Sequence, residues 1–114
     1  MYGPKHFSLL LSMPKPKGLR LKTIRRSRNP AKKWDAVFEY KDGHTKTTSF
    51  GARGMSDFTK HKDVTRRNRY IQRHGHMNED WTDPTTAGAL SRWILWSKPT
   101  FEGSLAAYKK KFNL

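Results

Sequence analysis

The chain has 114 residues, with 24 Lys and Arg against nine Asp and Glu, a formal net charge of +15 and no cysteine. A chain of this length builds one domain that buries roughly two-thirds of its unfolded surface, and without thiols it has neither a disulfide nor a thiolate metal site to staple it. Aromatics reach 12%, with four Trp and six Phe, too many large rings for a wholly disordered chain; the expectation is a small ring-rich core under a surface that attracts phosphate, anionic lipid or acidic protein.

No acidic residue precedes Asp35, while positive side chains run from Lys5 to Lys33. Residues 1–32 are therefore expected to form an extended basic arm that repels itself in isolation. The apolar stretch FSLLLSM at 7–13 falls short of the roughly 20 residues a membrane span requires and lacks a small-residue cleavage site, so it is expected to be a strand or a hydrophobic peg. Within the arm, LRLKTIRR at 19–26 alternates apolar and basic at Leu19, Leu21 and, after a break, Ile24. That pattern suits an edge strand with one basic face. Arg25, Arg26 and Arg28 are candidate anion contacts.

The segment KWDAVFEYKDGHTKTTSF at 33–50 carries the clearest β signal. Trp34, Ala36, Phe38 and Tyr40 alternate with Asp35, Val37, Glu39 and Lys41, Asp42-Gly43 marks a turn, and a Thr-rich strand returns. A three-residue loop of Asp42, Gly43 and His44 sets Tyr40 opposite Lys46, Phe38 opposite Thr48 and Ala36 opposite Phe50, keeping Phe50 on the aromatic face. GARG at 51–54 lacks the spacing of a phosphate loop and is expected to be a plain turn.

Beyond it, Ser56 or Asp57 suits the cap of a turn, and VTRRNRYIQRH from Val64 suits a helix ended by Gly75, with Val64, Tyr70 and Ile71 near one stripe. Arg66, Arg67, Arg69 and Arg73 lie largely elsewhere on it and, with Lys60 and Lys62 just before, are the best candidates for phosphate contact, since guanidinium forks match phosphate oxygens. The alternative is a solvated basic face on a helix that only packs.

The apolar cassette DPTTAGALSRWILWSKPT spans 83–100. Asp83 as cap and Pro84 at the first helical position open a helix with Ala87, Leu90 and Ile94 on one stripe and Ala89, Trp93 and Trp96 on its neighbour. Lys98-Pro99 breaks it, Thr100 caps another helix bearing Leu105, Tyr108 and Phe112, and Lys109, Lys110 and Lys111 gather at the end that favours cations. Most of the cassette is expected to be scaffold. Trp93 and Trp96 are candidate partner contacts if left exposed. The fold expected is α+β: a single small domain over 33–114, with a hairpin at about 33–50 and two to three C-terminal helices, preceded by the arm.

Catalytic chemistry finds little support. His61, Asp63, His74, His76, Glu79, Asp80 and Asp83 match no metal-ligand spacing; the acidic group Glu79, Asp80 and Asp83 is expected instead to pair with nearby Arg or Lys and to cap helices. No nucleophile elbow, kinase motif or dinucleotide loop is present. The expectation is a protein that is not an enzyme and uses no cofactor, metal or small-molecule substrate.

FGARGMSDFTKHKD at 50–63, RNRYIQRH at 67–74 and WTDPTTAGALSRWILWSKPT at 81–100 together resemble a family of small basic proteins encoded by nucleocytoplasmic large DNA viruses. The resemblance covers residues 50–112 and implies a virion protein assembled in the host cytoplasm, with no site residues to transfer. Such a particle uses small basic proteins beneath its shell and against its genome. A hairpin, rings and a Pro-delimited helix pair exceed what genome condensation alone needs, so a minor capsid protein that ties capsid subunits together is the first expectation, and a DNA-binding protein that packages the genome is the alternative. Partners on these readings are other capsid proteins, viral DNA or the anionic inner membrane surface.

Overall fold

A computed structural model describes residues 18–76 and 80–114; FSLLLSM, the arm up to residue 17 and Glu79 lie outside them. The chain is α+β, as expected. Three antiparallel strands, β1 (Arg20–Arg26), β2 (Lys32–Glu39) and β3 (Thr45–Ala52), form one sheet in sequence order. The helices α1 (Phe58–His61), α2 (Val64–Gly75), α3 (Ala87–Leu90) and α4 (Phe101–Phe112) follow. The sheet thus begins inside the stretch 1–32, and LRLKTIRR is the edge strand its alternation suggests.

The break in that alternation has a structural cause. Leu21 sits opposite Phe38 and Ile24 opposite Ala36, with a bulge between Leu21 and Thr23. The extra residue resets the pleat, so two apolar side chains three positions apart share one face. Ser27, Asn29 and Ala31 close the link to β2: Ala31 N donates to Asn29 Oδ1 at 2.9 Å and Lys32 N to Asn29 O at 3.0 Å.

The β2–β3 register corrects the expected one. Phe38 faces Lys46, Ala36 faces Thr48 and Trp34 faces Phe50, while Tyr40 N donates to His44 O and Gly43 N to Tyr40 O, both at 2.9 Å. The loop has three residues but begins one earlier, at Lys41, because Gly43 takes the left-handed position that closes this kind of turn. The resulting shift is two residues, an even number, so each side chain keeps its face and Phe50 remains on the apolar side.

That side is the core. Leu19, Ala36, Phe38, Phe50, Leu90, Ile94, Leu95 and Tyr108 form one buried cluster, in which the helices from α3 onward cover the sheet. The opening of the cassette differs from expectation: Thr86, not Asp83, caps α3, its Oγ accepting from Ala89 N. Asp83 instead accepts from Thr85 N at 2.9 Å, and Pro84 is fully buried with its carbonyl accepting from Tyr108 Oη at 2.7 Å. That bond gives a buried carbonyl its partner and ties the segment before α3 to α4. α3 then passes into a π-helical turn over Ser91–Leu95, closed by Trp96 N to Ser91 O at 3.0 Å. The wider turn replaces the expected pair of stripes: Ile94 and Leu95 are both buried, while Trp93 and Trp96 are half-buried.

Helix α2 is held from outside the core. Tyr70, buried, stacks on Trp96 with ring centroids 4.3 Å apart and planes within 4°. Val64, expected on the same stripe, is 51% exposed, since the packed side of α2 is set by Arg67, Tyr70 and His74 at i, i+3 and i+7. Thr100 caps α4 as expected, its Oγ1 accepting from Gly103 N at 3.0 Å, and Lys109, Lys110 and Lys111 fall in the last turn.

Candidate functional site

A cleft of about 750 Å³ opens where the ends of the sheet meet α1 and the start of α4. Its apolar wall is made by Trp34 and Phe101, ring centroids 5.0 Å apart and tilted by 40°. Both rings are half-buried. β2 sets Trp34 between Arg26 on β1 and Phe50 on β3, so a cation and a ring share one end of the sheet by register alone. The helix start brings Phe101 across.

Cations line the rest. Arg26, Lys33, Arg53, Lys60 and Lys62 all border the cleft, against Asp57 and Glu102. Their charges are not equivalent. Lys33 Nζ lies 2.6 Å from Asp57 Oδ2, and the pair is 15% and 3% exposed; Asp57 also accepts from Thr59 N at 3.0 Å as the cap of α1. That carboxylate pins the α1 loop to β2 and absorbs Lys33. Arg53 donates only to the carbonyls of Lys32 at 3.0 Å and Ser27 at 3.2 Å. Lys62 donates to the carbonyls of Thr59 and Pro99. Carbonyls orient these groups without cancelling their charge, and Arg26 and Lys60 are exposed with no ion pair among the described residues. Glu102, in the first turn of α4, is the one carboxylate at the rim that opposes an anion. The open N–H groups of that turn favour one.

The other expected anion contacts fall in three places. Arg66, Arg69 and Arg73 form an exposed stripe on α2, at i, i+3 and i+7. Arg67 faces inward: its guanidinium lies 5.2 Å from the Phe58 ring centroid and reaches Ser97 O at 3.4 Å, so it fastens α2 to the body. Arg28 is exposed in the β1–β2 link. Arg25 lies on the sheet face away from the helices, its Nε 3.9 Å from Asp35 Oδ2 and without a hydrogen-bond acceptor. Asp35 is buried there and accepts from Ser27 Oγ and Ser49 Oγ, both at 2.6 Å. Those two hydroxyls hold its carboxyl below the ordinary value of 3.8 against the opposing effect of burial.

Trp93 and Trp96 are both engaged within the chain. Trp93 Nε1 donates to Trp81 O at 2.9 Å, with the Arg92 guanidinium 4.3 Å and the Lys111 ammonium 4.4 Å from its ring centroid. Arg92 also lies 5.5 Å from the Trp81 centroid and donates to Trp96 O at 3.0 Å; burial lowers its pKa from the usual guanidinium value. Trp96 carries Tyr70.

Among the described residues no group of three or more His, Asp or Glu comes together as metal ligands. The acids expected to pair with Arg or Lys do something else. Asp80 accepts from Thr82 N at 2.9 Å, and the Thr82 hydroxyl bonded to it holds its carboxyl below the usual range. Asp83 accepts from Thr85 N and Oγ1. Neither makes an ion pair among the described residues, because an Asp followed two residues later by Thr closes a local turn before a distant cation can reach it. Asp63 caps α2, accepting from Thr65 N and Arg66 N.

Lys33, Trp34, Arg53, Phe101 and Glu102 were absent from the sequence-derived site. The alternation that sets Trp34 on the apolar face of β2 was a usable signal for part of it, while its pairing with Arg26 came from the register of the sheet. Nothing in the sequence brings Phe101 to Trp34 across so many residues.

Residues 22–74 match a family of unknown function, DUF5754. The matched stretch takes in most of β1, the rest of the sheet, α1 and nearly all of α2, and so holds the cationic side of the cleft but not Phe101 or Glu102. No curated protein and no solved structure matches the chain.

Proposed function

We propose that the protein is a non-enzymatic nucleic-acid-binding protein that serves as a structural component of a large DNA virus particle. The observation that carries the nucleic-acid part is the cleft: Arg26, Arg53, Lys60 and Lys62, none of them in an ion pair among the described residues, border a wall of two rings. Cations that orient without being neutralised suit phosphate, and the α2 stripe adds three more. The virus setting rests on the resemblance of the three motifs. A shell protein that only ties subunits has no need of half-exposed rings among free cations, which is why DNA binding moves ahead of the capsid role.

DNA affinity measured across a salt series tests this reading. Binding is expected to weaken linearly on a log–log plot, and replacing Arg66, Arg69 and Arg73 together by Ala is expected to flatten the slope by about 0.7–0.9 for each phosphate that is no longer neutralised. No measurable binding at about 50 mM salt overturns it. The capsid role has one observation in its favour: among the described residues the outer edges of β1 and β3 pair with nothing, and open edges accept strands from neighbouring subunits. Retention in nucleic-acid-free shells at a fixed ratio to capsid protein supports that role, and release with the genome counts against it.

A further inference from the structure

We infer that the Trp34–Phe101 cleft takes an unstacked base of single-stranded nucleic acid, with the adjoining phosphates on Arg26, Lys60 and Lys62. The inference rests on the nucleic-acid reading above and specifies what this one site selects. A duplex presents phosphates to a basic surface but keeps its bases stacked inside. A protein that binds duplex through its backbone therefore needs cations and no rings. Here the cations ring a recess whose wall is Trp34 and Phe101, half-buried with centroids 5.0 Å apart, and whose volume of about 750 Å³ lies within the usual range for sites that enclose a small ligand.

The placement is fixed rather than adaptive. Trp34 is held by strand register between Arg26 and Phe50. Phe101 is the first residue of a helix whose cap hydrogen bond is made, and the Lys33–Asp57 pair ties the cap of α1, which carries Lys60 and follows Met55, to β2. Met55, 67% exposed at the rim, adds a polarisable thioether that packs well on a base face. Glu102 at the same rim disfavours a second phosphate there. Aromatic faces flanked by unneutralised cations are how single strands are bound with little regard to sequence, because every base offers a π-face.

The test compares three ligands with equal numbers of phosphates: a deoxythymidine oligomer, an abasic strand of the same length, and a duplex. The oligomer is expected to bind about tenfold more tightly than the abasic strand and to quench tryptophan fluorescence where the duplex does not. Trp34→Leu is expected to erase that preference while leaving the salt-dependent affinity for duplex. Equal affinity for the oligomer and the abasic strand overturns the inference and leaves the broader proposal standing; failure to bind all three defeats both. A preference that survives Trp34→Leu places the base elsewhere and overturns the assignment of this cleft. Trp34 also packs against the core, so should its variant not fold, Phe101→Leu read in the same assay decides the matter by the same criteria.

Discussion

Asp35 shows how a charged residue is kept inside the sheet. It sits on β2 with 4% exposure, satisfied by Ser27, Ser49 and, at 3.5 Å, the backbone N–H of Arg28. Its neighbours Arg25 and Ser49 stand opposite it on either strand. Replacing it by Ala strands two hydroxyls and leaves Arg25 without its counter-charge. The expected cost is about 1–3 kcal/mol at neutral pH, read from denaturant unfolding. The pH dependence has a definite sign. A carboxyl held low in the fold contributes stability that is complete above its ordinary value of 3.8 and is lost as pH falls through the lower folded value. The gap between parent and Asp35→Ala should therefore be widest at neutral pH and close on the acid side. A gap that is constant with pH shows the ionised form is not the one being stabilised. The alternation of Asp35 with Trp34 and Ala36 was legible in the sequence. Its two serine partners were not, since they come from β3 and from the β1–β2 link.

Among elements, the meeting of β3 with the π turn limits what the sequence can vary. Gly51 has φ +80°, and a Cβ placed there would stand 2.9 Å from Leu95 Cδ1 and 3.3 Å from Lys33 Cβ. Gly54, three residues on, has φ +90° with nothing within 4 Å of the same Cβ. Both positions incur the left-handed backbone penalty of about 1–2 kcal/mol when given a side chain, but only Gly51 also forces Leu95 to move, and overpacking of this sort adds about 1–3 kcal/mol. Gly51→Ala is accordingly expected to lower the melting temperature clearly more than Gly54→Ala. Equal losses would mean that β3 and the π turn do not pack closely. GARG is only half the turn its glycines suggest: Gly51 and Ala52 are the last residues of β3, and Arg53 and Gly54 make the turn. Only the packed neighbour distinguishes a glycine that turns the chain from one that admits another element.

Across the molecule, few acids are left to neutralise the surplus cations. Glu39 pairs with Arg20 and Asp57 with Lys33, Asp35 is spoken for, and Asp63, Asp80 and Asp83 serve local turns and caps. Most cations of the described residues are therefore left unneutralised at the surface in a chain of net charge +15, and they repel one another around a ring-rich core. Raising the ionic strength from about 10 mM to 150 mM shortens the Debye length from roughly 30 to 8 Å. The melting temperature of the free protein is expected to rise over that range, and to rise further with bound polyanion by mass action. A melting temperature indifferent to salt would mean the cations are compensated within the fold.

Spacing and composition within short windows were enough to establish the class of fold, the strands, the cap at Thr100, a cap at Ser56 or Asp57, and the cationic surplus. Which cations stay free, that Arg67 turns inward while Arg66, Arg69 and Arg73 do not, and that Phe101 closes on Trp34 were settled by the packing of the folded chain. Those outcomes depend on residues distant in the chain meeting one another, and local periodicity carries no information about which distant face an element will meet.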